Sequence, residues 1–177
     1  MKIEESSLYR QPMSSSQWWE VTEILKTGLA QLDQQLVQSI AGQIREALQW
    51  LDPVMTEYCA STCPSCEDPC CHAQAIFFNR TDLLSLIASG ISLPPGQTRV
   101  SPLAPCRYLQ PTGCGLPRIA RPYVCVWYLC EAQMDLFGEE RTSIQRHFIR
   151  HFENIRLNRL RLESLYESRS PMTLRSG

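Results

Sequence analysis

The chain has 177 residues, a net charge of −1 and 44% hydrophobic residues. That is enough to bury the core of one domain without covalent staples, and the charge gives no overall field toward nucleic acid. Nine cysteines therefore need a chemical reason, which leaves disulfides, a metal or cluster site, or redox chemistry. Met1-Lys2-Ile3-Glu4-Glu5 has two early acids and no apolar run, unlike a secretory signal. No stretch approaches the roughly 18 apolar residues of a membrane span. The expectation is a cytoplasmic protein with no membrane association, whose thiols stay reduced and serve a metal or cluster.

Charge is segregated along the chain. Residues 1–58 carry four basic and eight acidic side chains, and residues 141–177 carry eight and three. Fifteen of the seventeen basic residues are arginine, which favours fixed pairing with carboxylates.

Residues 1–16, with Ser14-Ser15-Ser16, read as a mobile N-terminal arm ahead of a single domain over 17–167. From Trp18 the apolar positions Val21, Leu25, Leu29, Leu32, Leu36, Ile40, Ile44, Leu48 and Leu51 recur in steps of three and four. That spacing predicts one amphipathic helix over 17–52. Ser16 is its cap, Gly28 and Gly42 are points of bending, and Pro53 is its stop. Pro64 and Pro69 make 54–75 a loop. Ile76-Phe77-Phe78 reads as extended, and a short helix follows from Asp82 to Ala88, closed by Gly90. Four prolines make 91–105 a loop. A turn is expected at Pro111-Thr112-Gly113, and Pro122 should hold Arg121 extended. From Ile144 through Phe148, Phe152, Ile155, Leu162 and Tyr166 the helical stripe returns, predicting a helix over 142–167 and a loose tail over 168–177. The fold class is thus mainly α: two long amphipathic helices packed antiparallel, basic against acidic, carrying an irregular cysteine-rich unit over 54–130 with little β structure. A second apolar set on the last helix, Ile149, Leu157 and Leu160, leaves room for another helix, a protein partner or a second protomer.

The candidate metal ligands are Cys63, Cys66, Cys70, Cys71, Cys106, Cys114, Cys125 and Cys130. Four thiolates complete either a zinc site or an iron–sulfur cluster. Cys63-x2-Cys66 is a ligand pair of standard spacing, whereas the wider intervals suit a loop-wrapped site. Neighbours Cys70 and Cys71 point to opposite faces of extended backbone, so one can ligate while the other packs. Cys59 is a ninth thiol whose role the spacing leaves open. Cys59-x3-Cys63-x2-Cys66 has the spacing of radical S-adenosylmethionine enzymes, but the alternation of strands and helices that such enzymes need is missing. Around the thiols, Arg121 can donate to sulfur or pair with Asp82 or Glu131, and His72 stands at the mouth of the site.

The ordered set Cys63, Cys66, Cys70, Cys71, Asp82, Cys106 with Tyr108 and Leu109, Cys114, Arg121, Pro122 and Cys125 resembles the YkgJ-type cysteine-cluster family, a zinc- or iron-chelating domain. The resemblance spans residues 59–130. It implies chelation of Zn2+ or an iron–sulfur cluster in a structural, redox or metal-carrier role. Larger relatives include lysine methylases of the flagellin type, so a cluster-dependent protein-modifying enzyme is one alternative. A zinc-stabilised interaction module using the basic last helix is the other.

His147 and His151 lie one turn apart, but Phe148 stands where a zinc-protease helix needs glutamate. A helix-face role follows. Arg146, Arg150, Arg156, Arg159 and Arg161 form no aromatic-interleaved basic patch, so nucleic acid is not an expected partner.

Overall fold

The computed structural model describes residues 9, 11–73 and 76–168. Most of the expected arm and nearly all of the expected tail lie outside them. The helices are α1 (Ser15–Ala30), α2 (Gln34–Thr62), α3 (Cys70–Ala73), α4 (Arg80–Ala88), α5 (Tyr123–Trp127), α6 (Glu131–Glu139) and α7 (Thr142–Ser168). Single 3₁₀ turns occupy Cys63–Ser65 and Arg118–Ala120. Strands β1 (Leu109–Gln110) and β2 (Gly113–Cys114) form a minimal antiparallel ladder. The mainly helical expectation holds.

The stripe expected to form one helix over 17–52 forms two. Ser14, not Ser16, caps α1: its hydroxyl accepts the Gln17 N–H while the Gln17 side chain accepts the Ser14 N–H. The chain then breaks after Ala30, because the Asp33 carboxylate accepts the N–H groups of Gln35 and Leu36 and starts α2 afresh. Pro53 does not stop α2 either. It is exposed, so its ring meets solvent, while Leu51, Met55 and Tyr58 on either side are buried. Burying those three side chains outweighs the roughly 3 kcal/mol that an interior proline costs.

The two long helices α2 and α7 pack antiparallel. Tyr58 faces Phe148, Trp50 stacks on His151 at 4.5 Å, and Gln43 accepts from Asn158 at 3.1 Å. One number rises as the other falls. Buried positions recur every seven residues on both partners: Val37, Ile44, Leu51 and Tyr58 against Phe148, Ile155 and Leu162. That repeat is the seam of a coiled-coil-like pair. His147 and His151 both lie against Trp50, in the helix-face role expected of them. The expected charge complementarity between the two helices takes another form. Among the described residues, the ion pairs of α7 reach Asp82 and Arg80, from Arg159 and from Glu163 and Glu167.

Helix α4 fills the space beside this pair with Leu83, Leu84 and Leu86. Asn79 and Asp82 cap it reciprocally, and Gly90 (φ 67°) closes it. α1 lies on α4, with Trp18 against Phe78 at a 5.7 Å ring separation and donating to the Pro94 carbonyl. The extended Phe78 has no strand partner. Instead the buried Gln97 side chain bonds both its N–H and its C=O at 2.8 Å, satisfying the backbone as a neighbouring strand would. Ile149, Leu157 and Leu160 remain about half exposed. No helix of the described residues is long and apolar enough to cross a membrane.

Candidate metal centre

The thiols collect at one end of the α2–α7 pair, where α2 runs out. Cys59 lies in its last turn and Cys63 is its cap, four residues apart and therefore on one face. Cys63 and Cys59 are close enough for each thiol to shift the other's titration. The chain then turns through Pro64-Ser65, exposes Cys66 and enters α3 with Cys70 and Cys71. These two thiols likewise shift each other's titration.

The second half of the unit is fastened to the first by backbone. The Cys106 N–H bonds the Cys71 carbonyl at 3.1 Å. Arg99, 3% exposed, donates to the carbonyls of Cys71 and His72 at 3.1 Å each and also to that of Ala104. Downstream, the Leu109 N–H donates to the Cys106 carbonyl at 3.1 Å. The hairpin follows. Gly113 (φ 112°) lies against Cys63, where a Cβ would sit 3.6 Å from the Cys63 Cβ. Glycine satisfies both the turn and the close approach, and it brings Cys114 beside the first cluster.

Asp82 ties α4 to the segment carrying Cys125. Its carboxylate is 2% exposed. It accepts from the Tyr123 N–H at 2.9 Å, from Arg159 at 2.7 Å and from the Asn79 N–H at 2.9 Å. The Arg159 guanidinium also lies over the Tyr123 ring, 4.6 Å from its centroid. A cavity of 20 Å³ beside Asp82, Arg121 and Arg159 has room for about one water. Arg121 is extended as expected, and its Nε donates to the Leu116 carbonyl at 2.9 Å. The guanidinium that reaches sulfur belongs to Arg118: its Nη2 is 3.7 Å from the Cys59 Sγ. Gln133 of α6 donates to the same sulfur at 3.6 Å.

Seven thiols thus form one interacting group. Within it, Cys59, Cys63 and Cys70 act on one another, Cys71 feels Cys106 and Cys114, and Cys125 feels Cys70, Cys106 and Cys114. The hydrogen bond from Cys63, with help from Arg118, holds Cys59 at about 5 against the effect of burial. The bond from Cys71 likewise brings Cys70 to about 7. The donors Cys63 and Cys71 are pushed far above the ordinary thiol range, first by giving up that hydrogen and then by burial. Burial, with the charges of neighbouring thiols, pushes Cys125 up to about 12. Burial also raises Cys106.

All nine cysteines are free of disulfides. Of the eight expected ligands, six belong to this group. Cys66 is exposed, and Cys130 is the cap residue of α6; the interactions joining the seven do not include them. His72 is exposed, with its carbonyl held by Arg99. Among the described residues, no three Cys, His, Asp or Glu side chains already stand at metal-holding spacing. Sequence reasoning missed Cys59 and Arg118. With the helix expected to end at 52 and 54–75 expected as a loop, the shared helix face of Cys59 and Cys63 was not legible, and Arg118 sits in no recognisable motif.

One observation bears on whether a metal centre fits here. The Arg118 Nη1 is buried and has no hydrogen-bond partner among the described residues, so this end of the molecule has a permanent donor to spare next to sulfur. Sulfur-rich metal centres accept such donors. The molecule is, in class, a helical protein with a thiol-rich unit at one end. No family model, no curated protein and no solved structure matches the chain. The YkgJ-type resemblance therefore stands on the ordered residues of 59–130 alone.

Proposed function

We propose that this chain is a metal-binding protein of the cysteine-cluster type, holding Zn2+ or an iron–sulfur cluster through thiolates. Its role would be structural, or that of a redox or metal carrier. The observation that carries this reading is the gathering of seven thiols from the end of α2, α3, the hairpin region and α5, with arginines on their flank. An apolar core would fill such a space with carbon, and no disulfide uses these sulfurs. Cys63 and Cys71, the neighbours of Cys59 and Cys70, are held as neutral thiols and carry hydrogens. A metal ion replaces such hydrogens, because ligand thiols bind as thiolates and release protons when they do so. Small movements of the 63–71 loop and the hairpin would bring four sulfurs to the ~2.3 Å that zinc requires.

Elemental analysis with an absorption spectrum, on protein purified without oxygen and without added metal, tests the reading. Zinc without visible absorption makes the site structural, whereas iron with sulfide and a broad visible band makes it a cluster. Cys125→Ala is expected to lose most of the bound metal, and full retention in that variant would remove Cys125 from the ligands. Absence of metal in the unmodified protein, combined with failure to take up zinc or iron and sulfide, would overturn the proposal.

A further inference from the structure

We infer that Cys59, which lies ahead of the Cys63-x2-Cys66 opening, is a thiolate ligand of the metal centre, and that Arg118 is the cation that balances it. This rests on the metal reading above and extends it to two residues outside the ligand pattern over 63–125.

Two independent features point this way. The first is placement. Cys59 is in the final turn of a 29-residue helix, and Cys63 caps the same turn through an N–H bond to the Cys59 carbonyl. Two thiols on one face of a rigid element, with the Gly113 turn against Cys63, make a preset pair of ligands. Cys70 interacts with both.

The second is Arg118. Its side chain is 1% exposed, and its Nε reaches Asp52 at 3.2 Å, a carboxylate that is itself 54% exposed. Nη2 faces the Cys59 sulfur, and Nη1 has no partner among the described residues. A buried guanidinium is permanently charged, carries five donors and demands an anion. A solvated aspartate on one edge supplies part of that demand, and the Cys59 sulfur, which accepts from both Arg118 and Gln133, supplies a further part. A thiolate bound to metal supplies the rest, since four thiolates on Zn2+ leave a net charge of −2. The sulfurs also offer a place for the spare Nη1 hydrogen. Gln133, donating to Cys59 at 3.6 Å, turns the same sulfur toward the site from α6. Arg118 is accordingly a positioning residue that acts through Cys59 and the sulfur charge.

The test uses the full chain, purified without oxygen, stripped of metal and titrated with Co2+. The thiolate-to-cobalt absorption grows with the number of thiolates bound. In parallel, iodoacetamide labelling of each cysteine, with and without Co2+, is read by peptide mass spectrometry. In the cobalt-loaded protein, Cys59 is expected to label about ten-fold more slowly, together with Cys63 and Cys70. Cys59→Ser should lose about a quarter of the thiolate absorption, one ligand in four. Arg118→Met should keep that absorption but bind Co2+ about ten-fold more weakly, and Arg118→Lys should recover part of the loss. If Cys59→Ser fails to fold, the labelling of the unmodified chain decides. Cobalt uptake with Cys59 labelled at its metal-free rate overturns the assignment and leaves the metal reading intact. No cobalt uptake by the unmodified chain overturns both.

Discussion

Asp82 shows what one buried residue does in this fold. Its carboxylate closes the N-terminus of α4, starts α5 through the Tyr123 N–H and neutralises Arg159 of α7. Three elements therefore meet on one side chain, and Cys125 lies inside the second of them, two residues after Tyr123. Asp82→Asn is expected to cost about 3–5 kcal/mol in urea unfolding, because it strands a buried guanidinium. Adding Arg159→Met should return part of that loss, since the uncompensated charge goes with it. A double variant no more stable than Asp82→Asn would show that the backbone contacts of Asp82, not its ion pair, dominate. The sequence marked Asp82 as the start of a short helix and offered Arg121 as its partner, not Arg159. A partner 77 positions away in a different helix leaves no local trace.

At the scale of the element, the long stripes were legible because burial follows the helical period. The seam positions Ile44, Leu48, Leu51, Phe148, Ile155 and Leu162 are all buried. What periodicity could not show was the break at 31–33. Leu29, Leu32 and Leu36 keep the helical phase across it, and only the cap at Asp33 declares a new start. Pro53 misled in the opposite direction, since tertiary burial on both sides overrides a local breaker. Pro53→Ala is accordingly expected to stabilise the protein by about 1–3 kcal/mol, restoring an N–H inside α2 without touching the core. Thermal unfolding followed by circular dichroism would measure it. A destabilised variant would mean that α2 needs the irregularity at this point. In the thiol unit the residue types were legible and the grouping was not. Side chains on irregular loops are placed by contacts such as Arg99 on the Cys71 and His72 carbonyls, and no spacing rule encodes those.

For the whole molecule, the same thiols make opposite demands on pH in the metal-free and metal-bound states. The fold holds Cys125 as the neutral thiol, pushed up to about 12 from an ordinary value near 9. A group raised in this way stabilises the fold fully below pH 9 and loses that contribution as pH climbs toward 12. The metal-free protein should therefore be insensitive to Cys125 near neutrality and weaken in strong base. Metal binding requires the thiols that still carry protons to give them up, so affinity rises with pH. The stabilisation added by metal follows RT ln(1 + [L]/Kd). Each proton released changes Kd about ten-fold per pH unit, which is worth about 1.4 kcal/mol once the site is saturated. The gap in Tm between protein in excess Zn2+ and protein in chelator should widen steadily from pH 6 to pH 8. The metal-free curve should itself rise between pH 6 and pH 8, because Cys59 and Cys70 are held at about 5 and about 7, and fall only above pH 9. A gap that does not change with pH would mean that zinc binds without displacing thiol protons, and so not through these cysteines.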